Sequence, residues 1–77
     1  MHHIILYSRD GCHLCEKAKH DLMELKNKIS FSIEEKNIAQ SDELTERYGL
    51  MIPVVEMDGE VVAYGLVNKL DISKRLQ

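Results

Sequence analysis

The sequence predicts an α/β fold with a four-stranded mixed sheet, the elements running β-α-β-α-β-β-α and the helices covering both faces. Three observations carry this. An apolar run at residues 4–7 passes through the turn-forming Ser8-Arg9-Asp10-Gly11 into a segment with helical periodicity. A second strand-like segment follows that helix, so the pair reads as two parallel strands with a right-handed crossover. Asp58-Gly59 then joins two apolar segments, the strongest short-range hairpin signal. The simplest sheet uniting these parts has its first strand in the centre.

Each element has its own chemistry. Residues 3–8 read as a buried strand. The first helix runs from about residue 12 to 28, and its apolar stripe is Cys15, Ala18, Leu22, Leu25 and Ile29, at steps of three and four. That stripe turns Cys15 toward the core and leaves Cys12 at an exposed tip. Residues 31–38 form the second strand, with Glu34, Glu35 and Lys36 breaking its apolar pattern toward solvent. Ser41 caps a short second helix, Asp42 and Glu43 suit its first turn, Leu44 and Tyr48 share a face, and Gly49 stops it. Pro53 opens the third strand, and pairing across the hairpin sets Val55 opposite Val62 and Val54 opposite Ala63, which makes both sheet faces apolar. Asn68 caps the last helix, Val67 and Ile72 are spaced as a hydrophobic staple, and Leu76 continues the stripe.

Composition bounds the function. Seventy-seven residues, 44% hydrophobic and 30% charged, describe an ordinary globular chain of one domain, residues 1–77. A net charge of −3 argues against a nucleic-acid partner. No apolar run approaches the roughly 18 residues of a membrane span, and Met1-His2-His3 lacks a signal-peptide pattern, so the expectation is a cytoplasmic monomer without a membrane partner.

The chemistry concentrates in two cysteines. Cys12 and Cys15 stand three apart at the start of the first helix, where unpaired backbone N–H groups and a partial positive charge favour a thiolate. A thiol with a pKa of about 8.5 is only ~3% ionised at pH 7, and a shift to about 7 raises the attacking species roughly fifteen-fold. One buried and one exposed sulfur suit a resolving thiol and a nucleophile better than two equal metal ligands. Zinc normally takes four ligands, and no second C-x-x-C or H-x₃₋₅-H pair follows; a zinc site would have to draw on His13 and His20 or a dimer. His20 reads as solvated, Tyr48 and Tyr64 as packing residues, and Met23, Met51 and Met57 as core or site-rim groups. His13, beside the nucleophile, would stabilise its thiolate when protonated. The sequence assigns no proton acceptor to Cys15.

The segments LYSRDGCHLCEKAK and RYGLMIPVVEMDGE resemble the glutaredoxin-like branch of the thioredoxin superfamily, in particular small members with a Gly-Cys-His-Leu-Cys site. The resemblance covers essentially the whole chain. It implies a thioredoxin-like fold and a thiol–disulfide oxidoreductase, with Cys12 as nucleophile, Cys15 as resolving thiol and Pro53 cis beside the sulfurs. Arg9 occupies the position of a family cation near the disulfide, and the Ile52 backbone pairs with an extended substrate. It further implies no bound cofactor, glutathione as a co-substrate, and as partners a disulfide-containing protein or a glutathione mixed disulfide together with a cellular thiol reductant. Two other readings stay open: an iron–sulfur or metal carrier using the same cysteines, and a non-catalytic binding module. The chain departs from the family at Tyr64-Gly65-Leu66-Val67-Asn68, where glutathione binders carry Gly-Gly followed by acids.

Overall fold

In the computed structural model, which describes residues 1–77, strand β1 (His2–Ser8) lies inside a sheet of order β2-β1-β3-β4. Strand β2 (Phe31–Asn37) runs parallel to it, with Ile4 opposite Ile33. Strand β3 (Val54–Met57) runs antiparallel on the other side, with Leu6 opposite Val55 and Tyr7 opposite Val54. Strand β4 (Glu60–Tyr64) completes the sheet through the hairpin. The chain is thus a mixed α/β fold of the thioredoxin-like kind, with its first strand interior as the sequence predicts.

Strand alternation decides which side chains meet which helix. Ile4 and Leu6 point to one face, where they pack with Val55, Met57 and Phe31. That face is covered by helix α1 (His13–Lys26), through Ala18, Leu22 and Leu25, and by helix α3 (Lys69–Leu76), through Ile72 and Leu76. Tyr7 and Val54 point the other way and meet Ile38 and Tyr48. Helix α2 (Asp42–Tyr48) and the short 3₁₀ turn Ile38–Gln40 supply this second cover. Each fully buried Leu, Ile or Val side chain stabilises the fold by about 1.5–3 kcal/mol of transfer free energy.

The caps follow the sequence. Ser41 Oγ accepts the Leu44 N–H at 3.2 Å, and Asn68 Oδ1 accepts the N–H groups of Leu70 and Asp71 at 2.8 and 3.3 Å. Val67 and Ile72 both pack on the larger core cluster, as a staple requires. Gly49 ends α2 for a reason other than left-handed backbone: its φ is −55°, and a Cβ there would stand 2.5 Å from the Thr45 carbonyl oxygen.

Four expectations need correction. The register Val55–Val62 and Val54–Ala63 does not form: a bulge shifts the pairing to Val55–Ala63 and Val54–Tyr64. The extra residue lets Val62 and Ala63 both pack on the larger cluster. It also puts Tyr64 opposite Val54, where it is exposed instead of packed. Helix α1 stops at Lys26, not 28, because the Leu25 carbonyl collects the N–H groups of both Lys28 and Ile29 and tightens the last turn. Met23 lies off the α1 stripe and is exposed. The 3₁₀ turn is new, capped by Asn37 Oδ1 accepting the Ala39 N–H at 2.9 Å.

The hairpin turn is also tied to β1. Asp58 and Gly59 both have positive φ, 53° and 89°, as a two-residue hairpin loop requires. Asp58 Oδ1 accepts the His3 N–H at 2.9 Å, while Oδ2 pairs with His2 Nδ1. The bond from His2, then the His3 N–H, hold the Asp58 carboxyl below its ordinary value. A carboxyl depressed in the folded state contributes stability above its unfolded pKa of about 3.9, lost as pH falls through the lower folded value. Asp58→Asn, which keeps the turn geometry, is therefore less stable than the parent at pH 6, and the gap closes on acidification. Urea unfolding over a pH series checks this; a gap independent of pH refutes it.

Candidate redox site

Both cysteines sit where the interior strand ends. β1 delivers the chain to its buried last residue, Ser8, and Gly11, at φ 79°, turns it into α1. Cys12 is the N-cap: its φ and ψ of −98° and 107° are extended, and its Sγ accepts the Cys15 N–H at 3.1 Å. The bond satisfies one of the four orphan donors of the helix start. A sulfur in this position is stabilised as an anion by the same N–H and by the helix dipole.

Cys15 is one of the α1 stripe residues and only 3% exposed, whereas Cys12 is half-buried instead of fully exposed. The two are joined in a disulfide with Cα atoms 5.2 Å apart, inside the usual 4.4–6.8 Å span. A loop this short restricts the unfolded chain little, by about 2 kcal/mol on the chain-entropy estimate. That is of the order of one buried leucine, so the core holds the fold and leaves the disulfide open to chemistry.

The segment before β3 lies at the same end of the sheet. The Tyr7–Val54 pairing brings Pro53 alongside Ser8, and the Ile52–Pro53 peptide bond is cis. The Tyr48 carbonyl accepts the N–H groups of Met51 and Ile52 at 2.8 and 3.1 Å. The Gly65 N–H donates to the carbonyls of Met51 and Pro53 at 3.0 and 2.8 Å, and Gly65 reaches this position at φ 72°. These four bonds fix the proline segment from two sides. They also narrow the expectation for Ile52: its N–H is engaged by Tyr48, and only its carbonyl lacks a partner in the chain.

Beneath the proline segment, the Tyr7 and Tyr48 rings stand 4.7 Å apart at 41°, and the Arg47 guanidinium lies 5.4 Å from the Tyr48 ring centre. The Tyr7 hydroxyl donates to Glu56 Oε2 at 3.3 Å. Burial, then the Glu56 charge, raise the Tyr7 pKa, so it stays a neutral donor. Tyr48 is the packing residue the sequence predicts.

Arg9 is exposed on the loop and lines a polar cavity of about 230 Å³ that also reaches Cys15. His13 is the first residue of α1, next to Cys12 and exposed. Leu14 in the first turn of α1 and Leu50 and Leu66 on loops are exposed at this end of the sheet and give the site an apolar rim. His20 faces Glu24 at 3.5 Å, outside the site. No group of three or more His, Cys, Asp or Glu side chains that could hold a metal ion comes together.

Three residues of the site region escape the sequence reading. Ser8 Oγ donates to Glu35 Oε2 at 3.0 Å, Lys19 Nζ meets Glu35 Oε1 at 3.1 Å, and all three line the cavity beside Cys15. The signal was present in the alternation. Phe31, Ile33 and Glu35 are spaced by two, so a carboxylate shares the α1-facing side of β2 with two core residues.

Comparison with known proteins agrees with this geometry. The model of the glutaredoxin-like domain (DUF836) matches residues 3–77. The chain belongs to the glutaredoxin-like domain family. Among solved structures it is similar to protein Ne2328 from Nitrosomonas europaea, with TM-score 0.85, 28% identity, and 99% of this chain and 92% of that one covered. It is also similar to protein XcR50 from X. campestris, with TM-score 0.80, 26% identity, and 95% and 93% coverage. A thioredoxin from Halobacterium salinarum shares the fold, with TM-score 0.74 at 18% identity, covering 97% of this chain and 71% of that one. No curated protein matches the chain in sequence. A thioredoxin-like fold carrying a Cys12–Cys15 disulfide is a thiol–disulfide site in general terms, and no helix of this glutaredoxin-like domain is long and apolar enough to cross a membrane.

The capping geometry has a direct consequence for the reduced protein. The Cys15 N–H and the helix start favour the Cys12 thiolate, an advantage that unfolding in denaturant removes. The pH dependence of alkylation at Cys12, read by mass spectrometry, tests it; equal values in the folded and unfolded chains count against the cap as the cause.

Proposed function

We propose that this glutaredoxin-like domain is a dithiol–disulfide oxidoreductase in which Cys12 attacks and Cys15 resolves. The observation that carries the reading is the bond from the Cys15 N–H to Cys12 Sγ at the α1 N-terminus. It stabilises negative charge on the more accessible sulfur and leaves the other inside the core. In the first step the Cys12 thiolate attacks a substrate disulfide, forming a mixed disulfide and releasing one substrate thiolate. In the second, Cys15 attacks Cys12 Sγ, the bond to the substrate breaks, and the disulfide seen here forms. Two electrons pass from the dithiol to the substrate.

The surroundings support a polypeptide or glutathione mixed disulfide as substrate. The free Ile52 carbonyl beside the cis proline can accept an N–H from an extended chain, and the leucine rim supplies apolar contact. Arg9 adds positive charge for an anionic substrate. Glutathione enters this reading as a reducing co-substrate, with no cofactor resident, and the protein works as a monomer in the cytoplasm, where thiols are kept reduced. A potential of around −200 to −230 mV, in the glutaredoxin range, goes with these roles.

Turnover assays with the two serine variants separate the roles. Cys12→Ser loses disulfide reduction entirely, while Cys15→Ser still forms a mixed disulfide that accumulates, visible as a mass increase under non-reducing conditions. Trapping through Cys15 instead of Cys12 reverses the assignment. His13→Ala raises the Cys12 pKa, and an unchanged thiolate titration removes His13 from the mechanism.

A further inference from the structure

Edge strands leave backbone groups unpaired, and this sheet has two of them, β2 and β4. β2 guards its edge with the exposed charges Glu34, Glu35 and Lys36. β4 carries no such guard: after Glu60 it reads Val61-Val62-Ala63-Tyr64, and Val61 and Tyr64 are 40% and 59% exposed. A groove of about 310 Å³ runs beside it, lined by β4 from Val61 to Tyr64, by Leu66 and, at the start of α3, by Asn68 and Asp71. That volume stands at the lower end of the roughly 300–1,000 Å³ of ligand sites, room for the side chains of an extended segment and too little for a folded partner.

The groove starts at the redox site. Leu66, 82% exposed, belongs both to the apolar rim of the dithiol and to the groove. Tyr64 pairs with Val54 at the site end of the sheet and Val61 with Glu56 further from it, so the groove leads away from the disulfide over roughly 10 Å. Only a substrate longer than a tripeptide follows it that far. Asp71 is the one charged residue in the lining, and Glu60 stands at the far end of β4. Both are acidic, which calls for a cation and disfavours glutathione, whose carboxylates outnumber its ammonium group. Across Leu66 and Asn68, a polar cleft of about 480 Å³ holds Lys17 and Lys69, but Asp21 at 2.9 Å and Glu24 at 3.2 Å already engage their ammonium groups. Asn68 Oδ1 accepts the Leu70 and Asp71 N–H groups, so the α3 start offers no ready anion site either. The bulge at Val62 twists the β4 edge, which disfavours long edge-to-edge pairing with a second copy and leaves room for a short segment.

We infer that this groove docks the polypeptide substrate beyond its disulfide: an extended segment, apolar and carrying a lysine or arginine, lies along β4 while its neighbouring cysteine exchanges with Cys12. The inference rests on the dithiol reading above and selects the polypeptide over the glutathione mixed disulfide as the substrate. Apolar side chains of the segment fill the groove beside Val61 and Tyr64, the cation faces Asp71, and its backbone meets the open edge of β4. Glutathione keeps the part of reductant.

Mixed disulfides of thionitrobenzoate with short single-cysteine peptides test this, because Cys12 attack on the peptide sulfur releases the coloured thiolate. The reduced parent protein reacts with a peptide of alternating Val and Lys about tenfold faster than with its Ser/Lys counterpart and about fivefold faster than with its Val/Glu counterpart. It also prefers the Val/Lys peptide to glutathione carrying the same group. Val61→Lys brings the Val/Lys and Ser/Lys rates within twofold of each other. Asp71→Asn abolishes the preference for Lys over Glu, and Asp71→Lys reverses it. Parent rates within twofold of one another for all four disulfides overturn the inference, as does a Val/Lys preference that survives both Val61→Lys and Asp71→Asn. A parent protein that sediments as a dimer while Val61→Lys is a monomer overturns it too, since the groove then belongs to a second copy. No reaction of the parent with any of the four overturns the oxidoreductase reading itself, a failure distinct from loss of the peptide preference.

Discussion

The placement of β1 between β2 and β3 governs the rest of the molecule. A strand bonded on both edges and covered on both faces has no freedom to shift, since a slip of one residue would exchange Ile4 and Leu6 with Ile5 and Tyr7. Its last residue, Ser8, is therefore fixed, and so are Gly11, Cys12 and the start of α1 that follow within a few residues. The same pairing holds Val54 opposite Tyr7 and brings the proline segment to the same end of the sheet as the disulfide. Loops carry much of the site, and they are anchored on the buried residues Ser8 and Val54.

Two kinds of restraint divide the work at that end of the sheet. Backbone hydrogen bonds from Tyr48 and Gly65 hold the proline segment, so its position depends little on which side chains surround it. The dithiol is held by side-chain chemistry: the Cys12 sulfur caps the helix, and the Cys15 side chain fills a core position. One sulfur thus depends on the helix dipole and the other on packing. This difference in environment distinguishes the two sulfurs of a motif whose members are chemically identical.

Much of this was legible beforehand because it rests on local rules. The hairpin at Asp58-Gly59, the caps at Ser41 and Asn68, and the α1 stripe each depend on residues within one or two turns of one another. The hairpin register was less accessible. Val62 and Ala63 both find room on the larger cluster, and that room is created by α1 and α3, elements distant in sequence. Tyr64 was misplaced for the same reason. Within the site, Glu35 reads as one charge in a solvated run until Lys19 of α1 and Ser8 of β1 stand on either side of its carboxylate.

By itself the sequence determined the order of elements, the interior first strand, the position of the dithiol at a helix start and the unequal burial of its two sulfurs. These follow from periodicity, turn chemistry and spacing, which act over a few residues and are written directly in the chain. Only the tertiary structure decided which backbone groups at the site remain free and which polar groups gather around Cys15. The Ile52 N–H is taken by Tyr48 while its carbonyl is left open, and Ser8, Lys19 and Glu35 meet from a strand, a helix and a second strand. Such contacts depend on how separate elements pack, and no local pattern encodes that packing.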